Sequence, residues 1–333
     1  MADGTDRKRL GFFTRLLEDV SAGERYESAL EQIAQAEALG FDTAWVAQHH
    51  FHEQEGGLPS PFVLLAAAAA RTRRIVLGTA IVTLPLEAPL RVAEDAAVLS
   101  LLSGGRLELG IGSGGTASSF PPFGFDPADR PAIFARHTEQ LLSALRGDVL
   151  TSDGGALYPA APRLVDTLWQ ATFSASGAAR IGAAGFGLML SKAQPNRQAP
   201  TLADEQQPIV DAYLAALPSG VAPRVFGSRG LLVVDSEAEA ARWTEHGVER
   251  SARTPGYGRP PAGATLDELQ RFYDLHIGTP EQVVERLQQD HVLLASTDLV
   301  FQVHPVDPPH EVTLRSIELI ATEVAPHLCG VPR

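Results

Sequence analysis

Short apolar, β-branched runs alternate with helical stretches almost from end to end of this chain, and that rhythm limits it to very few folds. RLGFFTRL (Arg9–Leu16) opens the series. ERYESALEQIAQAEAL follows at helical spacing and stops at Gly40, a natural helix C-cap. TAWVAQHH, RIVLGTAIVTLP and RLELGIGSG are the next strands, with the helices PFVLLAAAAART and PLRVAEDAAVLSLLSG between them. RIVLGTAIVTLP is apolar throughout, as a strand covered on both faces must be. A helix from Pro131 to Arg146 leads to the strand TLWQATFS (Thr167–Ser174), the helix GAARIGAAG and the strand LMLS. The helix LADEQQPIVDAYLAAL, the strand RVFGSRGLLVVD and a helix over Ser236–His246 come next. A long polar segment, Gly247–Gly278, precedes the helix PEQVVERLQQD, the eighth strand DLVFQVHP and a closing helix.

Eight strands separated by helices predict an α/β fold, a (β/α)8 TIM barrel formed as one domain over residues 1–333, with an extended loop after strand seven. A doubly wound open sheet is the runner-up, disfavoured by the strand count and by the lack of an early nucleotide fingerprint. In a barrel the loops after the strands share one face, where its chemistry recurs. HHFH, GIGSGG, SASG and the polar segment Gly247–Gly278 follow strands two, four, five and seven, so all four meet there.

Gly110, Gly112 and Gly115 formally match GxGxxG, but Pro121 and Pro122 break the helix that a dinucleotide site needs next. The loop is either a close approach to a flat ligand or phosphate, or plain irregular chain. Ser174, Ser176 and Gly177 begin a helix, where hydroxyls and unpaired amides make an anion site or simply cap the helix. The histidines of HHFH suggest a metal, yet TFSAS and LSKAQ bring no His or Asp, and Lys192 with His304 does not complete a set, so no metal site is assigned. His49 is the better candidate for an acid, a base or a hydrogen-bond donor facing a pocket.

The formal charge of −13 argues against a sequence-independent grip on nucleic acid. The apolar run Phe62–Ala70 is too short to span a bilayer, MADGTDRKRLGFF lacks the apolar stretch of a signal peptide, and Cys329 is the only cysteine. A cytoplasmic protein without membrane attachment is expected.

The chain resembles the bacterial luciferase-like superfamily of flavin-dependent monooxygenases over nearly its whole length. The resemblance rests on GFDTAWVAQHHF, on RIVLGTAIVTLPLEAPLRVAEDAAVLSLLSGGRLELGIGSG, on IGTPEQVVERL and on SIELIATEVAPHL. It implies a (β/α)8 barrel that binds reduced FMN, usually delivered by a separate flavin reductase, and that uses O2 to oxygenate a small-molecule substrate. A related branch uses the deazaflavin F420 as a hydride carrier, and a non-catalytic flavin-binding protein is a further alternative. By resemblance His49 is the catalytic histidine. Thr79 and Ala80 match the place of a non-prolyl cis peptide, while Ser174, Ser176 and Gly177 match the phosphate-binding turn, and Arg130 falls near a second phosphate contact. Gly112 and Ser113 belong to the cofactor wall, and Phe12, Gln48, His50 and Arg229 to the pocket. Residues 247–278 correspond to a mobile active-site loop, and relatives commonly pair as homodimers through the helices after strands two and three. Three departures matter. Gln48 stands where Glu is frequent, removing a charge beside His49; Ser113 replaces a phosphate-binding arginine; and Gly112 occupies the reactive-cysteine position, so light emission is not expected.

Overall fold

A computed structural model describes residues 7–253 and 260–329. In chain order the strands are β1 (Arg9–Thr14), β2 (Thr43–Val46), β3 (Val76–Thr79), β4 (Val82–Thr83), β5 (Leu107–Glu108), β6 (Gly110–Gly112), β7 (Trp169–Ala171), β8 (Gly187–Met189), β9 (Val225–Val233), β10 (Leu275–Gly278) and β11 (Asp298–Gln302). Every pairing is parallel. β3 and β4 are halves of one stave, as are β5 and β6. Because β3 pairs with β5 and β4 with β6, the sheet returns on itself as an eight-staved barrel. β10 adds alongside the far half of β9, Leu275 to Gly278 against Gly230 to Val233.

The main outer helices are α1 (Ala22–Ala38), α2 (Pro61–Arg71), α3 (Pro89–Leu102), α4 (Arg130–Arg146), the short α5 (Arg163–Asp166), α6 (Ala175–Ala183), α7 (Leu202–Ala216) and α8 (Glu237–Arg253). α9 (Leu266–Tyr273), α10 (Pro280–Leu287), α11 (His291–Ala295), α12 (His310–Leu319) and α13 (Ala325–Leu328) complete the set. Their starts are written locally: Ser21 and Glu24 form a reciprocal capping box at α1, satisfying amides that a helix end leaves open.

Residues on each stave alternate between two cores. One set, including Phe12, Ala44, Leu188 and Phe301, packs outward with the helices. The other set, Phe13, Trp45, Trp169, Met189, Phe226 and Val300, fills the barrel. Trp45 meets Phe226 edge-on at 5.1 Å between ring centroids and Trp169 at 6.0 Å, a geometry that suits the ring quadrupoles. Gly78 lies against Trp45, and a Cβ there would come within 2.1 Å of Trp45 Cε3. Continued upward, the inward register runs Trp45–Ala47–His49, Phe226–Ser228 and Val300–Gln302–His304, and so delivers polar groups to the C-terminal mouth.

Residues 247–278, expected as one irregular segment, hold regular structure where they are described. α8 runs on to Arg253, and α9 and β10 follow. The reason is local: α9 has its own capping box (Thr265, Glu268), and Tyr273, Leu275 and Ile277 bury an apolar face with Leu232, Val234 and Val306. Residues 254–259 of that segment lie outside the described residues.

Candidate active site

A cavity of about 710 Å³ opens at the C-terminal ends of the staves. Its apolar bed is Ala80, Ile81, Ala171, Met189 and Phe226; its polar lining includes Arg15, His49, Ser113, Arg130, Lys192 and His304. The stave β3–β4 is interrupted by a cis peptide at Ala80–Ile81, one bond beyond the expected Thr79–Ala80. Ala80 N still donates to Val46 O at 2.8 Å, so the ladder with β2 continues past Thr79 and breaks only after Ala80.

His49 stands three residues beyond β2, anchored by its backbone N–H donating to Leu58 O at 2.9 Å. Its Nδ1 faces Glu55 Oε2 at 3.8 Å. Glu55 also accepts from Thr116 Oγ1, and its backbone carbonyl accepts from Arg15. The facing His49 ring, with help from a hydrogen bond from Thr116, pulls the Glu55 carboxyl down to about 2. His49 itself lies below the ordinary histidine value, because burial outweighs Glu55 and Arg15 adds repulsion. A neutral His49 that presents Nδ1–H to Glu55 leaves Nε2 as a bare acceptor.

Gln48 is buried and fully engaged elsewhere. Its Nε2 donates to Pro59 O at 3.0 Å and Glu87 Oε1 at 2.6 Å, and its Oε1 accepts from Thr83 N at 2.7 Å. It braces the loop after β2 against β4. Burial holds the Glu87 carboxyl above its ordinary value.

At the other side of the mouth, His304 Nδ1 pairs with Asp307 Oδ2 at 2.8 Å, and Arg250 Nη2 donates to the same oxygen at 2.9 Å. Ser228 and Gln302 lie below it, with Gln302 Nε2 donating to Ser228 Oγ at 3.0 Å. Among the described residues no group of three or more His, Cys, Asp or Glu side chains is arranged to hold a metal ion.

The sequence profile of the luciferase-like monooxygenases matches residues 10–297. This chain belongs to that family. Limonene 1,2-monooxygenase of Rhodococcus erythropolis is 28% identical to it over 329 residues, which cover 94% of this chain and 84% of the relative. Among solved structures, the oxygenating constituent of 3,6-diketocamphane monooxygenase of Pseudomonas putida, in complex with FMN, superposes with a TM-score of 0.71 at 20% identity over 96% of this chain and 98% of its own. The F420-dependent tetrahydromethanopterin reductase of Methanopyrus kandleri gives 0.68 at 18% identity over 97% and 99%. These two are likenesses of fold. Among the described residues no helix is long and apolar enough to cross a membrane.

In this luciferase-like barrel His49, Gln48, His50, Ala80, Gly112, Ser113 and Arg130 all line the cavity. His50 does so beside His49 because β2 has ended at Val46, and it stacks edge-on with Phe123 at 4.9 Å. Arg130 reaches back to Gly114 O at 3.0 Å. Ser174, Ser176 and Gly177 sit at the N-terminus of α6 but outside the lining; Ser174 Oγ is already occupied as the cap, accepting from Gly177 N at 3.1 Å.

Three assignments are corrected. Phe12 points outward to the helices, and its neighbour Phe13 lines the cavity. The Thr79 side chain is spent within the wall, donating to Gly110 O at 2.8 Å and accepting from Gly110 N at 2.9 Å. Arg229 also points out of the barrel. It is fully buried, with Nε and Nη2 on Asp290 at 2.5 and 3.1 Å and Nη1 on Gln206 Oε1 at 3.1 Å. None of the described residues in 247–278 lines the cavity. Sequence reasoning missed Arg15, Glu55, Thr116, Ser228 and Asp307. For Glu55 the signal was its closeness to His49 in HHFHEQE, and for Asp307 its place three residues after a histidine at a strand end.

Proposed function

We propose that this protein is a luciferase-like flavin monooxygenase, taking reduced FMN from a separate reductase and using O2 to oxygenate a small, largely apolar organic molecule. The observation that carries this reading is the division of the cavity into an apolar bed, a histidine–carboxylate wall and a polar rim with Arg130. A volume of about 710 Å³ is ordinary for a small-molecule site. Ala80, Ile81, Ala171 and Met189 offer a flat ring system apolar contact on its face. Arg130 and Ser113 of the lining would hold its phosphate, with the N-terminus of α6, which begins just past the lining residues Thr172 and Phe173, favouring the anion from the rim. The residues therefore fit FMN. Reduced FMN would supply the two electrons that split O2, one oxygen atom going to the substrate and the other to water.

The chain's own work is proton handling, positioning and exclusion of water. His49 accepts a proton at Nε2, and Glu55, charged at neutral pH, stabilises the imidazolium that results. Phe13, Phe226 and the bed residues exclude water, which strengthens every polar contact within the cavity.

The F420 branch remains the second reading, supported by the fold shared with an F420-dependent reductase. One titration separates the two. Reduced FMN and reduced F420 are added to the protein without air, then O2 and an apolar substrate panel are introduced. Tight binding of FMN with O2-dependent oxygenation fits the proposal. Selective binding of F420 with O2-independent turnover replaces it, and turnover unaffected by His49→Ala defeats the role given to His49.

A homodimer goes with this reading. α2 and α3, the helices after barrel strands two and three, leave Val63, Leu90, Val98, Leu101 and Leu102 exposed to solvent, an apolar display that a monomer gains nothing from. A cytoplasmic location, where reduced flavin is made, also follows from it.

A further inference from the structure

His304 lies two residues past β11 on the inward register, its side chain 14% exposed. Its position is fixed from behind. Nδ1 meets Asp307 Oδ2 at 2.8 Å, and the Arg250 guanidinium occupies that same oxygen at 2.9 Å. With a cation on one side, Asp307 stays an acceptor, so the proton between the pair sits on Nδ1 of His304. That leaves Nε2 with a lone pair, on a ring that lines the cavity.

The surroundings keep the ring neutral. Asp307 favours a charge on it, but burial, Arg15 and Lys192 oppose one and prevail, pushing its pKa down to about 3. Asp307 is itself held below the usual carboxylate range; burial works against its charge, and His304 and Arg250 outweigh that. His304 is thus unlike His49. Glu55 answers only partly to other groups and is open to solvent, whereas the Asp307 charge is shared with Arg250, so His304 gains orientation rather than basicity.

We propose that His304 is the substrate-orienting acceptor of this cavity, and that the substrate is a largely apolar molecule bearing a hydroxyl or N–H group that donates to His304 Nε2. The proposal rests on the monooxygenase reading of the cavity and narrows it from apolar molecules in general to those carrying a donor. Nε2 faces the open cavity, so a bound pure hydrocarbon or ether would cover it without meeting it and be penalised, which is how such sites discriminate most strongly.

Two probes that differ by the methyl group that replaces the donor hydrogen test it: 1-naphthol and 1-methoxynaphthalene, titrated calorimetrically into the FMN-loaded protein and into the flavin-free protein. The full chain should bind 1-naphthol about tenfold more tightly than the ether. His304→Phe should bring the ratio close to one while leaving FMN affinity unchanged, and His304→Gln, which restores an acceptor, should recover much of the preference. In protein carrying 15N-labelled histidine, His304 should show a protonated Nδ1 and a bare Nε2 from about pH 5 to 9, and Asp307→Ala should mix the tautomers. An undiminished ratio in both His304 variants, a protonated Nε2, or a loss of FMN affinity in place of naphthol preference overturns the proposal. Failure of the unaltered protein to bind FMN counts against the flavin reading alone, because the flavin-free titration still decides the role of His304.

Discussion

Removing the Glu55 carboxylate, by Glu55→Gln, should make His49 a weaker base. At the observed 3.8 Å a pair of unit charges is worth about 1 kcal/mol in bulk water and about 4 kcal/mol at an effective dielectric constant of 20. Glu55 is 40% exposed and His49 23%, so solvent screening places the pair near the lower figure. About 1 kcal/mol corresponds to roughly 0.7 of a pKa unit. The His49 pKa, already lowered chiefly by burial, is therefore expected to fall further, by about half to one unit. An NMR titration of the His49 ring reads it directly. The acid limb of the kcat/KM profile should move to lower pH by the same amount, because His49 must be neutral to accept a proton. The folded Glu55 carboxyl titrates near 2, below its unfolded value, so the stability it lends is present above the unfolded value and lost as pH falls toward 2. That acid-side loss should be flatter in Glu55→Gln. A His49 pKa equal to that of the unaltered protein would refute the reasoning.

Gln48→Glu, which by sequence alone would return the missing charge to His49, should act elsewhere: it loses its donors to Pro59 O and Glu87 and sets two buried carboxyls together. A loss of about 1–3 kcal/mol is expected, smallest at acid pH where the raised Glu87 carboxyl keeps its proton, as chemical denaturation across pH would measure. Gly56→Ala would put a Cβ 2.3 Å from His49 Cδ2. The ring must swing away, so kcat should drop by about a hundredfold with little change in Tm. Arg229→Met should cost about 3–5 kcal/mol in denaturant, because the buried Asp290 carboxylate loses its cation and keeps only the Leu293 N–H, while FMN affinity stays as it was. The proposed dimer is tested by Leu101→Glu with Leu102→Glu on the exposed end of α3: the double variant should sediment as a smaller species than the unaltered protein, and identical sedimentation would remove α3 as an interface.

The barrel was legible because its signal is coarse. RIVLGTAIVTLP reads as a buried stave whichever way its side chains point, and counting eight such runs needs no register. Register is what the sequence conceals. In a stave covered on both faces, inner and outer positions are equally apolar, so nothing in RLGFFTRL distinguishes Phe12 from Phe13, and nothing in VFGSRG says that Ser228 faces the cavity while Arg229 turns toward Asp290. β10 and α9 escaped for a different reason. β10 is only four residues, LHIG, and α9 only eight, set in a polar stretch, and their apolar residues cover Leu232, Val234 and Val306.

The cavity lining was legible where strand position alone places a residue and obscure where loop geometry does. That His49 lines the cavity follows from its place just past β2. Its carboxylate does not, because reading the neighbour of His49 assumes that the partner in sequence is the partner in space. Gln48 removes a charge from the chain position beside the histidine, yet its amide turns to Pro59, Thr83 and Glu87 and never addresses the imidazole. The left-handed Phe51 (φ 65°) reverses the chain after His50, and His52 N donates to His50 O at 2.8 Å. That reversal returns Glu55 to His49 Nδ1, where Thr116 and Arg15 hold it from two other loops. The same Glu55 oxygen serves both His49 and Thr116, so the basicity of the histidine is tied to the loop after β6. The electrostatics that look deleted at residue 48 are thus supplied seven residues later, by a carboxylate braced against the loop after β6.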